Sequence, residues 1–305
     1  MTKPIVVVGS LNMDFVLRMP HLPARGETLR GWDFQMLPGG KGANQACAAG
    51  RLGGRAKMVG RVGSDIFGQQ QRLSLGQAGV ETTFVLETEG EATGVALIFV
   101  ETGGQNMIVI AAGANAKLLP ADLTTAQAAF TPGFLLLQLE SPPETVEAAA
   151  ALGKSRGMMT ILDPAPAQSL RTELLQLTDL LTPNETEALT MLGRPLQEVT
   201  IREAAQMASA LLGLGPTHVI IKLGAQGAWW SDGQTGRHFP APRVEAVDAT
   251  AAGDTFNGAL AVALAEGKTM EEAIPFAGTA AALSVTRLGA QASIPRRIEV
   301  DQFSP

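Results

Sequence analysis

Residues 5–10 read IVVVGS, a run of β-branched residues that ends at a glycine turn. A short apolar run without alternation is typical of a strand that is buried on both faces of a parallel sheet. Similar apolar runs recur along the chain, with helix-period segments between them. The runs lie at residues 134–139, 158–162, 179–181 and 219–223, and the helix-period segments at 143–156 and 201–212. Alternating strands and helices predict an α/β fold with a mostly parallel, doubly wound sheet.

Composition limits the classes of protein that fit. The chain has 305 residues, 46% of them hydrophobic, which is enough to bury a sizeable core. The formal net charge is −6 and no basic run interrupts it, so we expect no nucleic-acid or membrane partner. The opening apolar run is too short for a signal peptide, so we expect a cytoplasmic protein. The lone Cys47 is predicted to pack in the core, and the three histidines match no metal-ligand spacing.

Two segments, 12–36 and 93–112, break the alternation of strands and helices. The second reads as two strands, TGVALIFV at 93–100 and QNMIVIA at 105–111, joined by the glycine-rich turn ETGGQN. Because no helix separates them, they predict a small β appendage outside the main sheet. We therefore expect one domain over residues 1–305, with a β lid formed by the two segments.

The segment AAGDTFNGAL at 251–260 places Gly253 and Asp254 where a loop becomes a helix. A helix N-terminus has unpaired N–H groups and a partial positive charge, which suit a phosphate. An isolated Asp there is more often a helix cap. The small residues Ala251 and Ala252 change that balance, because they let a ligand approach the amides. Asp254 is therefore a candidate catalytic base, and the cap role stays open.

The segment PGGKGANQACAAGRLG at 38–53 is a glycine-rich turn that opens onto a small-residue helix. It lacks the Gly-Lys-Ser/Thr of a Walker A loop, and Gln45 occupies the last glycine position of a dinucleotide fingerprint. The backbone of 39–42 and the amide of Asn44 suit several hydroxyl groups instead. A helix-start turn without a ligand is the alternative.

Three polar residues follow predicted strands. Asn12 and Asp14 come after the first strand, where open α/β sheets bind ligands, and their i, i+2 spacing points both side chains the same way. They suit vicinal hydroxyls, and an Asx turn is equally compatible with this pair. Glu140 follows the strand FLLLQL and is either a third sugar contact or a solvated loop charge.

Two further segments point to phosphate chemistry. TPNETEA at 182–188 puts Asn184, Glu185 and Glu187 at a helix start. The acidic side chains there either interact favourably with the helix dipole or organise the waters bound to a magnesium ion. KLGAQG at 222–227 is either a backbone nest for phosphates or a simple hairpin turn.

Together, the order and spacing of these segments resemble the ribokinase (PfkB) family of carbohydrate kinases over nearly the whole chain. The matching segments are GSLNMD, GGKGANQA, TGVALIFV, AGANA, QLESP, PAPA, TPNETEA and AAGDTFNGAL. The resemblance implies a three-layer α/β/α sandwich, a β lid that forms a homodimer, and transfer of the ATP γ-phosphate to the 5-hydroxyl of D-ribose. A sister kinase for deoxyribose, fructose or a nucleoside is the alternative. The missing G-x-G-x-x-G disfavours a Rossmann dehydrogenase, and the intact acid and anion turn disfavour a non-catalytic sugar-binding protein.

The resemblance also implies roles for individual residues. Asp254 would take the hydroxyl proton while Gly253 and Ala252 stabilise the phosphoryl group. The sugar would contact Asn12, Asp14, Gly40, Lys41, Gly42, Ala43, Asn44, Glu140 and Asp254. ATP would contact Asn184, Lys222, Leu223, Gly224, Ala225, Gln226, Gly227, Gly253, Asp254 and Gly278.

Two metal ions are implied by the same resemblance. Mg²⁺ would be organised by Asn184 and Glu187. K⁺ would lie in a loop formed by Asp248, Thr250, Ser284, Arg287, Gly289 and Ser293. Some positions depart from the family pattern. Lys222 stands where ribokinases commonly carry Thr, and the position of Gly278 often carries a larger residue. Ala249 replaces a frequent Thr, and Ala251 replaces a glycine common elsewhere in the superfamily.

Overall fold

The computed structural model describes residues 2–103 and 105–304. Its strands are β1 (Pro4–Val8), β2 (Asn12–Met19), β3 (Trp32–Gly39), β4 (Arg55–Gly63), β5 (Glu81–Thr88), β6 (Gly94–Glu101), β7 (Asn106–Ala111), β8 (Phe134–Leu137), β9 (Met159–Leu162), β10 (Leu180–Leu181), β11 (His218–Lys222), β12 (Ala228–Ser231) and β13 (Gly236–Phe239). Its α-helices are α1 (Lys41–Arg51), α2 (Ile66–Gln77), α3 (Pro120–Thr125), α4 (Pro143–Ser155), α5 (Thr172–Gln176), α6 (Glu185–Met191), α7 (Ile201–Leu212), α8 (Ala252–Ala265), α9 (Met270–Ser284) and α10 (Arg297–Asp301).

The large sheet contains nine strands in the order β13-β12-β11-β10-β9-β8-β1-β4-β5. Every neighbouring pair from β11 to β5 is parallel, and β12 and β13 extend the sheet antiparallel at one edge. The chain runs outward from β1 to β4 and β5, then continues on the other side with β8. The strand order therefore reverses at β1, and ligands bind beside such a reversal in open α/β sheets. The predicted α/β class and mostly parallel sheet are confirmed.

Alternate residues of β1 enter two different cores. Ile5 and Val7 pack with α1, α8 and α9 on one face of the sheet, while Val6 and Val8 pack with α4 and α7 on the other. All four side chains are buried, as the unbroken apolar run predicts. The sheet is therefore the middle layer of a three-layer α/β/α sandwich, as the resemblance implied.

A second sheet, the small sheet, has the order β3-β2-β6-β7. β2 and β6 are parallel, and the two outer strands pair antiparallel with them. The predicted strands at 93–100 and 105–111 are confirmed as β6 and β7; part of the turn between them, at Gly104, lies outside the described residues. β3 runs to Gly39, three residues past the predicted lid boundary. The division of the chain into one domain and a lid stays a prediction.

The carboxyl ends of the parallel strands meet at one edge of the large sheet. Ser10 follows β1, Glu140 follows β8 and Asp163 follows β9. Asn184 follows β10, and Lys222 is the last residue of β11. Polar groups far apart in sequence therefore collect on this edge, beside the small sheet. Among residues 2–103 and 105–304, no helix has the length and apolar character needed to cross a membrane.

Candidate active site

Two cavities meet at the N-terminus of α8. The polar cavity, of about 790 Å³, lies between this edge of the large sheet and the small sheet. Its polar lining includes Asn12, Asp14, Arg18, Gly40, Lys41, Asn44, Glu140, Asp248, Thr250, Asp254 and Gly289. The apolar cavity, of about 590 Å³, is lined by Lys222, Gly224, Ala225, Gly227, Ala241, Val244, Gly253, Phe256, Ile274, Gly278 and Ala282, among others. Asp254 faces the first cavity and its neighbour Gly253 faces the second.

Asp254 lies in the first turn of α8, but it does not cap the helix. The N-cap is Ala251, which adopts a left-handed conformation at φ 60° and makes no side-chain cap bond. The Asp254 carboxylate instead accepts hydrogen bonds from Asn44 Nδ2 at 3.0 Å and Gln45 Nε2 at 3.1 Å. The cap role that the sequence left open is therefore wrong, because the carboxylate points away from the helix amides and toward α1.

The electrostatic surroundings of Asp254 favour a base that works near neutral pH. Burial raises the pKa of Asp254 and Asp163 raises it as well, while Lys41 and the hydrogen bonds from Asn44 and Gln45 lower it; the net pKa is about 6. A carboxylate with a raised pKa binds a proton more readily than an exposed one, yet stays ionised at pH 7.

The amides beside Asp254 are not equivalent. The Ala252 N–H donates to Ala249 O at 3.2 Å, which occupies it within the turn. Gly253 lies in the first helical turn, where N–H groups have no intrahelical acceptor. Gly253 also lines the apolar cavity, and among the described residues no backbone acceptor pairs with its N–H, so of these two predicted amide donors it is the one available to a ligand.

Asn12 and Asp14 both lie in β2 and both line the polar cavity, as their spacing predicted. The Asx-turn alternative is wrong, because both residues are paired in the small sheet. Asn12 Oδ1 accepts a hydrogen bond from Asn115 Nδ2 at 2.8 Å. Asn115 also bonds both backbone groups of Leu11, at 2.9 and 3.1 Å. Asn12 is therefore held so that its N–H donors face the cavity.

Asp14 is buried in the same cavity, close to other acids. Burial raises its pKa to about 7, and the neighbouring carboxylates of Glu140 and Asp254 raise it as well. Three acids thus face one small volume, which suits the several hydroxyl groups of a sugar better than an anion.

The glycine-rich turn before α1 is shaped by close contacts. Gly40 is the N-cap of α1 at φ 89°, and a Cβ there would lie 2.6 Å from the Asn12 amide nitrogen, so only glycine fits. Glu140 accepts from Ser10 Oγ at 2.6 Å and from the Lys41 amide at 3.2 Å, so it is not a solvated loop charge. Gly42 and Ala43 are buried, and their amides donate to Ser10.

The KLGAQG turn forms the hairpin between β11 and β12 and also faces the apolar cavity. The hairpin interpretation is confirmed. Gly224, Ala225 and Gly227 line the apolar cavity, and the phosphate role of the turn stays a prediction. Leu223 is buried, and Gln226 points toward Val199 O at 3.5 Å.

Asn184 and Glu187 form a capping box at the start of α6. Asn184 Oδ1 accepts from the Glu187 amide at 2.8 Å, and Glu187 accepts from Asn184 at 2.7 and 3.0 Å. Burial raises the pKa of Glu187 and Lys222 opposes this. Both carboxylate oxygens of Glu187 are thus already paired with protein N–H groups, and no cluster of three or more metal-binding side chains occurs in the described part of the chain.

Asp248 joins Thr250 and Gly289 in the predicted cation loop, and the Arg287 amide donates to Ser284 O at 3.2 Å. Asp248 accepts from the Thr250 amide and hydroxyl at 2.9 and 2.6 Å and from the Gly289 amide at 2.9 Å. Burial raises the pKa of Asp248, but these hydrogen bonds outweigh burial and lower it overall, so the carboxylate stays charged. The side chains of the other three bond elsewhere: Ser284 to Ala281 O, Ser293 to Ala290 O, and Arg287 to Glu299.

Gln45 and Asp163 belong to the site, although the sequence did not single them out. Gln45 Nε2 donates to Asp163 Oδ2 at 2.9 Å as well as to Asp254, and Gln45 Oε1 accepts from Gln138 at 2.7 Å. Asp163 also pairs with Lys222 at 2.8 Å. The only available signal was their position, since Gln45 lies in GGKGANQA and Asp163 directly precedes PAPA.

Comparison with known proteins places these features in a family. Residues 2–297 match the pfkB family carbohydrate kinases. The chain is 43% identical to the ribokinase of Haemophilus influenzae, over 99% of both chains. It is 37% identical to the deoxyribokinase of Salmonella typhimurium, over 98% of this chain and 97% of the other. The structure of Arabidopsis thaliana ribokinase complexed with ribose and ATP superposes with a TM-score of 0.90 at 37% identity, over 100% of both chains.

Proposed function

The chain belongs to the pfkB family of carbohydrate kinases, and we propose that it transfers the γ-phosphate of ATP to the 5-hydroxyl of D-ribose. It is an ATP-dependent sugar kinase. The observation that carries the proposal is the junction of the two cavities, where the acid Asp254 lines one and its neighbour Gly253 lines the other. A hydroxyl in the polar cavity and a phosphate in the apolar cavity would meet at this point.

The polar cavity binds the sugar. Asn12 presents N–H donors, Asp14 and Glu140 present carboxylates, and Asn44 contributes an amide oxygen. The Asn44 side chain donates from Nδ2 to Asp254. Among the described residues, its Oδ1 is buried without a hydrogen-bond partner. A sugar hydroxyl satisfies that acceptor.

Asp254 and Gly253 carry out the transfer. The Asp254 carboxylate takes the proton of the 5-hydroxyl as the oxygen attacks the γ-phosphorus, the bond to the β,γ-bridging oxygen breaks, and ADP leaves. The Gly253 amide and the dipole of α8 stabilise the charge on the moving phosphoryl group. The apolar cavity holds the adenine against small and aliphatic side chains beside Gly278.

Two metal ions accompany the reaction. Mg²⁺ would neutralise the phosphates. Because both carboxylate oxygens of Glu187 are paired within the capping box, we propose that Glu187 and Asn184 would act on the waters of the ion rather than bind it directly. K⁺ would lie beside the charged Asp248, and we propose that backbone oxygens of the loop at 284–293 would supply its other donors. A cytoplasmic location stays a prediction from the sequence.

We also propose a homodimer through the small sheet. Residues 106–111 of β7 are exposed along the whole strand, and Trp32, Phe34 and Met36 of β3 are each about half exposed. An apolar sheet with an open edge is a site for pairing or aggregation unless a partner covers it. Sedimentation velocity would report about twice the 31.8 kDa monomer mass, and Ile108→Lys would shift it toward the monomer.

The substrate is tested with a panel of D-ribose, 2-deoxyribose, fructose and adenosine, each with ATP and Mg²⁺, with and without K⁺. The more identical of the two relatives compared above is a ribokinase, so we expect the highest kcat/KM with ribose. ADP release gives the rate, and ³¹P NMR identifies the 5-phosphate. A higher kcat/KM for deoxyribose would reassign the substrate within the same family.

A further inference from the structure

Lys222 occupies an unusual place in the site. It is the last residue of β11, its side chain is largely buried, and it lines the apolar cavity. A Cβ built on Gly253 would lie 3.3 Å from Lys222 Nζ, so the ammonium sits against the first turn of α8. A cation at the positive end of a helix dipole is unfavourable unless an anion lies nearby.

Asp163 supplies one such anion, at 2.8 Å from Nζ. Burial alone would lower the pKa of Lys222, but Asp163 and Glu187 outweigh burial and raise it, so the ammonium remains charged. A buried ion pair of this kind adds little stability over an apolar pair, so stability does not explain its presence. The pair instead places a permanent positive charge on the wall of the apolar cavity.

The second lysine of the site, Lys41, lines the polar cavity on the other side of Asp254. Lys41 therefore lies on the side of the accepting hydroxyl, and Lys222 on the side of the departing nucleotide. Gly253 and Lys222 line the same wall of the apolar cavity, at the start of α8.

Resting on the proposed kinase reaction, we propose that Lys222 is a further catalytic residue whose ammonium binds an oxygen of the γ-phosphoryl group during its transfer from ADP to the sugar oxygen. Asp163 is the positioning residue that holds Lys222 before the nucleotide arrives. The proton balance is unchanged: Asp254 takes the hydroxyl proton, and Lys222 stays protonated throughout. Gln45 Nε2 donates to both Asp163 and Asp254, so one side chain connects the partner of Lys222 with the base.

The test compares Lys222→Met, Lys222→Arg and the double variant Asp163→Asn/Lys222→Met. The double variant removes the buried charge that Lys222→Met leaves unpaired, and the amide oxygen introduced at position 163 still accepts from Gln45. Lys154→Met, an exposed lysine far from either cavity, controls for loss of a charge. Thermal unfolding of each variant separates misfolding from loss of function.

We expect kcat to fall about 10²-fold in both Met variants, the loss typical of one transition-state donor, and Lys222→Arg to recover part of it. Isothermal titration should show the affinity for the non-hydrolysable analogue AMP-PNP falling about tenfold while that for ADP changes less than threefold. The inference is overturned if the double variant recovers the wild-type kcat, or if ADP and AMP-PNP lose affinity equally. A wild-type enzyme inactive on every sugar would instead contradict the proposed function, and the two binding measurements would still report on Lys222.

Discussion

The polar and apolar cavities lie side by side, yet they are built by different means. The polar cavity is made of charged and amide side chains, several of them fixed by a second protein group, as Asn115 fixes Asn12 and Ser10 fixes Glu140. The apolar cavity is made largely of backbone, glycines and aliphatic side chains, with Lys222 and Arg243 as its ionisable lining residues. A sugar is recognised by its hydroxyl groups, whereas a purine needs a flat apolar slot. The proposed transfer would take place where the two kinds of surface meet.

The strongest test of that junction is Asp254→Asn. The substitution keeps the shape and still accepts a hydrogen bond from Asn44 or Gln45, but it removes the base. We expect kcat to fall about 10²- to 10⁴-fold, with KM for both substrates changed only a few-fold. A coupled ADP assay measures the rates, and Asp232→Asn, on the exposed β12–β13 turn, is the control. Turnover at the wild-type rate would remove Asp254 from the mechanism.

A matched pair of substitutions tests whether the cavities act separately. Asn12→Ala removes a sugar donor from the polar cavity, so we expect KM for ribose to rise about tenfold, the effect of one buried hydrogen bond. Gly278→Leu fills the apolar cavity, where an added Cβ meets nothing within 4 Å, so we expect KM for ATP to rise by a similar factor. Steady-state kinetics with each substrate varied in turn gives both constants. If Asn12→Ala raised KM for ATP as much as KM for ribose, the assignment of the two cavities would be wrong.

The smallest expected effect is on pH dependence. Asp254 must be ionised to accept a proton, and its pKa in the free enzyme is raised to about 6, so kcat/KM for ribose should show an inflection near pH 6 and fall about a further tenfold per unit below that. Asp14, with its pKa raised to about 7, adds a second ionisation to kcat/KM for ribose. Asp14→Asn should remove the upper inflection and leave the lower one. KM for ATP should follow neither ionisation, because the acids lie in the polar cavity.

The sequence predicted the polar cavity better than the apolar one. The carboxyl edge of a parallel sheet and a two-residue side-chain period were enough to bring Asn12 and Asp14 together. The layers of the fold followed from the apolar run at 5–8, because a strand without alternation is buried on both faces. These rules act over a few residues, so they can be read along the chain.

The missed features depend on tertiary contacts. Gln45 meets Asp163 across 118 residues of sequence, and a short polar segment carries no sign of such a partner. Ala241, Val244 and Ile274 line the apolar cavity but are ordinary core residues by composition. The helix-cap alternative for Asp254 failed because Ala251 adopts the left-handed turn, a conformation that alanine seldom takes.

β2 both lines the polar cavity and forms an inner strand of the small sheet. It starts four residues after β1, carries Asn12 and Asp14 at its beginning, and then runs on as an inner strand bonded to β3 and β6. Asn12 accepts hydrogen bonds from the side chains of Asn115 and Gln71, while Asp14 lies two residues farther along the strand. Because Asn12 is held by these contacts and Asp14 lies two residues farther along the same strand, any displacement of the small sheet would move Asp14 more than Asn12, so the completeness of the polar cavity would depend on where the small sheet lies.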